Sequence, residues 1–209
     1  MTKLCGCASL LLLLTVVSGF AFAQENPGGY ITLHPNQEFH IPELPAIVAR
    51  SHDRGDVLLT SLDIAFHDPN ICCGKNSALG DRALAADPLS LKEIASKVSG
   101  KWRLSDGRPV QITADFLPQG GTVDITRQII GPLLDKHPLL MVWSSRLYVL
   151  YGAVYDELGD PVGGVEYMIH KLSLIDARYA DSRREVTFNR DTDDWGKVQG
   201  VLLLTVAAQ

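Results

Sequence analysis

Two cysteines stand side by side at Cys72 and Cys73, inside the stretch His67-Asp68-Pro69-Asn70-Ile71-Cys72-Cys73-Gly74-Lys75-Asn76-Ser77. Three chemistries fit these residue types. The first is a disulfide between neighbours. Adjacent Cα atoms sit about 3.8 Å apart across a trans peptide, below the usual disulfide span of about 4.4–6.8 Å, so the ring would be strained. Gly74 would relieve the backbone crowding beside it. The second is a soft-metal site, with two thiolates and His67 as donors. Adjacent cysteines close poorly on one tetrahedral ion, and no C-x-x-C or second Cys/His pair completes a set, so no metal or other cofactor is expected. The third is a reactive thiol, its pKa lowered by Lys75 and a following helix N-terminus, with His67 or His170 as base. No catalytic residue is assigned, because nothing in the sequence supports that pairing. Cys72, Cys73, His67 and Lys75 are the candidate binding residues.

The compartment bears on these alternatives. Lys3, an apolar run from Leu10 to Val17, and Ala21-Phe22-Ala23 are the three regions of a secretory signal peptide. Residues 1–23 are expected to be removed, and Cys5 and Cys7 would leave with them. The run is too short for a span of ~20 residues, and no later segment is long and apolar enough to cross a membrane. The protein is therefore expected to be exported, periplasmic or extracellular, and to meet oxidising conditions.

Charge narrows the partners. Nineteen Lys and Arg stand against 24 Asp and Glu, a net of −5, and loss of Lys3 makes the balance more negative. That argues against a nucleic-acid partner, which would need a basic surface. Within this acidic chain Arg178, Arg183 and Arg184, with Arg190 nearby, gather around one turn. They are candidates for contact with an anion or partner, against salt bridges to Asp176, Asp181 and Glu185.

Other motifs fail on inspection. Cys73-Gly74-Lys75-Asn76 lacks the earlier glycine and the Ser/Thr of a phosphate loop. Asp191 and Asp193 begin like a calcium loop, but Trp195 and Leu202 stand at ligand positions. H-E-x-x-H, G-x-S-x-G and C-x-x-C-H are absent. His34 and His40 fall in a polar arm and are expected to be solvated. His170 alternates with Met168, Leu172 and Leu174, so it is expected on the core side of its strand.

The elements that position these residues follow from periodicity. Residues 24–45, rich in Pro, Gly, Asn and Gln, read as an extended arm with room for one edge strand, and 46–209 as a single domain. Val57–Phe66 reads as a strand. Ser77–Ala86 and Ser90–Val98 read as helices, the second with Ser90 and Glu93 at capping-box spacing and an apolar stripe at Leu91, Ile94, Ala95 and Val98. Asp106-Gly107 marks a hairpin between 101–104 and 110–116. A helix over 124–136 should bend or split at Gly131-Pro132. Strands follow at 139–143, 147–155, 165–175, 185–189 and 198–206.

The fold expected is α+β: a C-terminal antiparallel sheet of about four to six strands with two or three helices packed on one face. With no complete catalytic motif, the function expected is an exported, non-enzymatic protein that binds a protein or small-molecule ligand. A thiol-based soft-metal or redox protein using Cys72 and Cys73 is the alternative, and a Cys–His hydrolase the third reading.

Overall fold

The structure, a computed structural model, describes residues 29–42, 44, 56–66, 78–104, 106–118, 125–159, 163–178, 183–187 and 195–209. Its elements run β1 (Ile31–His40), α1 (Val57–Phe66), α2 (Ala78–Ala83), α3 (Leu91–Val98), β2 (Gly100–Arg103), β3 (Pro109–Pro118), α4 (Ile125–Leu134), β4 (Leu139–Trp143), β5 (Arg146–Gly159), β6 (Val165–Ile175), β7 (Arg183–Thr187), a short 3₁₀ turn (Trp195–Lys197) and β8 (Val198–Ala208).

All eight strands join one antiparallel sheet. Seven follow the order β2-β3-β8-β4-β5-β6-β7, and β1 pairs with β5 beside that path. The sheet is therefore wider than the four to six strands expected. Its additions are β1 at one side and the β2–β3 hairpin, recruited through β8.

The long strand β5 explains how β1 fits. Its first part pairs with β4, from Arg146↔Trp143 to Leu150↔Leu139. Its second part pairs with β1, from Gly152↔His40 to Gly159↔Ile31. β6 runs along β5 from Val149 to Gly159. Since β6 takes one edge, β4 and β1 share the other end to end.

α1 corrects the strand expected at Val57–Phe66. Every residue from Leu58 to Phe66 is buried, including Thr60, Ser61 and Asp63. A segment covered on all sides shows no polar face, so neither a two-residue nor a 3.6-residue period marks it. Its start was written in Asp56, whose Oδ1 accepts the Leu59 N–H at 3.0 Å as an N-cap.

α3 follows the capping pattern. The Glu93 N–H donates to Ser90 Oγ at 3.3 Å, and Leu91, Ile94, Ala95 and Val98 are all buried. α4 contains Pro132 without being split. Pro132 falls in its last turn, which closes with N–H donation from Asp135 to Gly131 O and from His137 to Pro132 O.

The core centres on β4, where Leu139, Leu140, Met141 and Val142 are all fully buried. Successive strand residues point to opposite faces, so both faces are covered there. α1 packs against β4, β5 and β8, α3 against β3, β4 and β8, and α4 against β1, β4, β5 and β6. No helix among the described residues is long and apolar enough to cross a membrane.

Candidate functional site

The residues that sequence reasoning put first are only partly placed. Cys72, Cys73, His67 and Lys75 lie outside the described residues, as do Arg190, Asp191 and Asp193. α1 ends at Phe66, the residue before His67 in sequence.

The arginine group is better defined. Arg178 grips Asp176: Nε and Nη2 donate to its two carboxylate oxygens at 2.9 and 2.6 Å, and the Arg178 N–H adds a third bond at 3.1 Å. Asp176 is buried. Burial alone would raise its pKa, but the bonds from Arg178, with the charges of Arg178 and Arg146, hold it below the ordinary carboxylate value. Arg183 and Arg184 sit in β7, opposite Ile175 and Leu174 in register.

Sequence reasoning missed a polar cluster spread over β1, β5 and β6. Two register irregularities build it. β5 carries an extra residue at Tyr151, between the pairs Leu150↔Leu174 and Gly152↔Ser173. β6 carries one at His170, between Ile169↔Tyr155 and Lys171↔Val154. Such bulges re-aim side chains.

At the first bulge, His40, Gly152 and Ser173 are successive partners across three strands. Directly opposed residues share a face. A Cβ at Gly152 would lie 2.2 Å from His40 Cδ2 and 2.7 Å from the Phe39 carbonyl oxygen. The missing side chain lets the His40 ring cross over β5, so that Nε2 lies 2.8 Å from Ser173 Oγ. Glu38 Oε1 lies 3.5 Å from Nδ1. The ring therefore sits between a carboxylate, which only accepts, and a hydroxyl, which can donate or accept. The Tyr151 ring sits beside the imidazole, centroids 5.6 Å apart.

At the second bulge, His170 Nε2 lies 3.0 Å from Asp156 Oδ2, and the Asn36 N–H donates to Oδ1 at 2.7 Å. Asn36 has φ +51°, a conformation asparagine adopts more readily than most residues. His170 is thus half-exposed and paired at the surface, not on the core side. The bulge breaks the alternation on which that expectation rested.

His40 thus differs from the solvated reading, whereas the His34 side chain is 64% exposed, as expected. His34 Nδ1 donates to Glu157 Oε2 at 3.2 Å.

The Ser173–His40–Glu38 order resembles a proton relay, but its chemistry is limited by access. Ser173 is 1% exposed beneath the ring, so an acyl carbon cannot approach Oγ while His40 is in place. The arrangement instead fixes the direction of a half-exposed imidazole. Among the described residues no group of three or more His, Cys, Asp and Glu is placed to hold a metal ion. No family model, curated protein or solved structure matches the chain.

Proposed function

We propose that the chain is an exported, non-enzymatic protein that binds a partner or ligand through the polar face of β1, β5 and β6. One observation carries this reading: His40 is laid across Gly152 and held by a buried serine, which costs the sheet a side chain and a regular register. Structure alone does not require such an arrangement at a solvent face. It is what a contact surface with a directed donor or acceptor needs. Glu38, Val154, Asp156, Lys171 and His170 extend the same face.

We read the helices as covering the opposite face of this part of the sheet. Tyr155, Ile169 and Leu172 are buried there, and Arg127 of α4 donates to the Val165 carbonyl of β6 at 2.9 Å.

The test is site-specific photo-crosslinking in the exporting cell. A crosslinker at Val154 should give a discrete adduct that His40→Ala weakens, while one at exposed Lys92 on α3 should not. Equal adducts at both positions, or none, would sink the reading. Turnover of ester, amide or phosphate substrates that Ser173→Ala abolishes would replace it with an enzyme.

A further inference from the structure

β1 is held unevenly along its length. From Ile31 to Glu38 no side chain is buried, and Ile31 and Leu33 are each 47% exposed. Leu33, Pro35 and Asn36 have no register partner on β5, and Pro35 has no N–H to offer. The ties of this part include His34 to Glu157, the Asn36 N–H to Asp156, and, just before the strand, Tyr30 Oη to Glu166 at 3.1 Å, with the half-exposed Leu33 side chain lying over Gly159.

The other end is different. Phe39 packs against the core, His40 meets Ser173, and the Ile41 N–H donates to the Tyr151 carbonyl at 2.9 Å. Ile41 and Leu44 are 1% and 0% exposed.

Local opening is governed by buried apolar contact and by the exposure of backbone hydrogen bonds. Both change at residue 39. We propose that residues 31–38 form a strap that lifts off β5 as a unit while residues 39–41 stay docked. Lifting bares the main-chain edge of β5 from Val154 to Gly159, where β1 now pairs. It also releases Asp156 and Glu157 from Asn36 and His34. The strap carries Glu38 and holds Asp156, both on the proposed binding face, but its test reads backbone exchange without a ligand, so its failure is distinguishable from failure of the binding reading.

Residue-resolved native-state hydrogen exchange on the full chain tests this without any ligand. The β5-bonded amides of 31–38 should exchange on the order of 100-fold faster than those of 39–41 and of the β5–β6 ladder. A His34→Cys/Glu157→Cys chain, oxidised across that register pair, should slow the amides of 31–38 to the level of their neighbours and leave the β5–β6 ladder unchanged. Amides of 31–38 that exchange as slowly as the β5–β6 ladder in the unlocked chain would overturn the strap. So would a crosslink that slows residues 31–41 and the β5–β6 ladder alike.

Discussion

His40 and Ser173 meet at 2.8 Å although a whole strand lies between theirs. The contact exists because the residue between them is glycine. Gly152→Ala should therefore be expensive for one methyl group. The new Cβ would overlap the His40 ring and also the Phe39 carbonyl oxygen, which is backbone and cannot swing aside. Overpacking of this kind costs about 1–3 kcal/mol, readable as a lower urea midpoint. The Gly152→Ala/His40→Ala double variant should recover only part of the loss, since the Phe39 clash remains. Full recovery would place the strain in the ring alone.

Asp176 gives a pH test with a definite sign. Its folded-state pKa is depressed, the bonds and charge of Arg178 outweighing burial. Such a group stabilises the fold above its unfolded pKa of about 3.9, and that stability is lost as pH falls through the lower folded value. Arg178→Ala should cost about 1–3 kcal/mol at pH 7, by leaving a buried carboxylate short of charged partners. The gap between variant and parent should shrink as pH falls below about 4. A gap that stays constant down to acid unfolding would mean the pair contributes through packing only.

The β4–β5 turn predicts a stabilising change. Ser144 and Ser145 have φ +48° and +57° between the closing pair Trp143↔Arg146. This is a two-residue hairpin turn that normally takes Asn-Gly. Holding an L-residue in this left-handed region costs roughly 1–2 kcal/mol, and Ser145→Gly removes that. The melting temperature should rise by about 2–4 °C per kcal/mol in a chain this size. An unchanged or lower value would show that the Ser145 side chain has a compensating role.

Cys72 and Cys73 are tested by their redox state. If the chain is exported and loses residues 1–23 as proposed, it should carry them oxidised as a neighbouring disulfide, with no titratable thiol and an intact mass about 2 Da below the reduced chain. Bound zinc or copper at one equivalent would establish the soft-metal alternative. A free thiol that alkylates quickly near neutral pH would favour the reactive-thiol reading.

How much of this was legible in the sequence depends on the range of the interaction. α3 was readable because its cap and stripe lie within ten residues. The helix α1 was misread because a fully buried segment has no contrast for a period to act on. His170 was misassigned because alternation assumes a regular ladder, and the bulge at that residue is set by β5. The His40–Ser173 contact spans 133 residues of sequence. No local pattern encodes it. Only Gly152, inside a strand rich in Tyr, Val and Leu, hinted that another group comes close.

The position of β8 has a consequence for how the chain is made. β8 follows every other strand in sequence, yet it lies between β3 and β4 and pairs with both. Until residues 198–208 are delivered, the β2–β3 hairpin and the β4–β5–β6 ribbon are separate pieces with open edges. A chain emerging in order cannot close its sheet early. It stays unfinished, and so threadable, until its eighth strand arrives to zip the two pieces together.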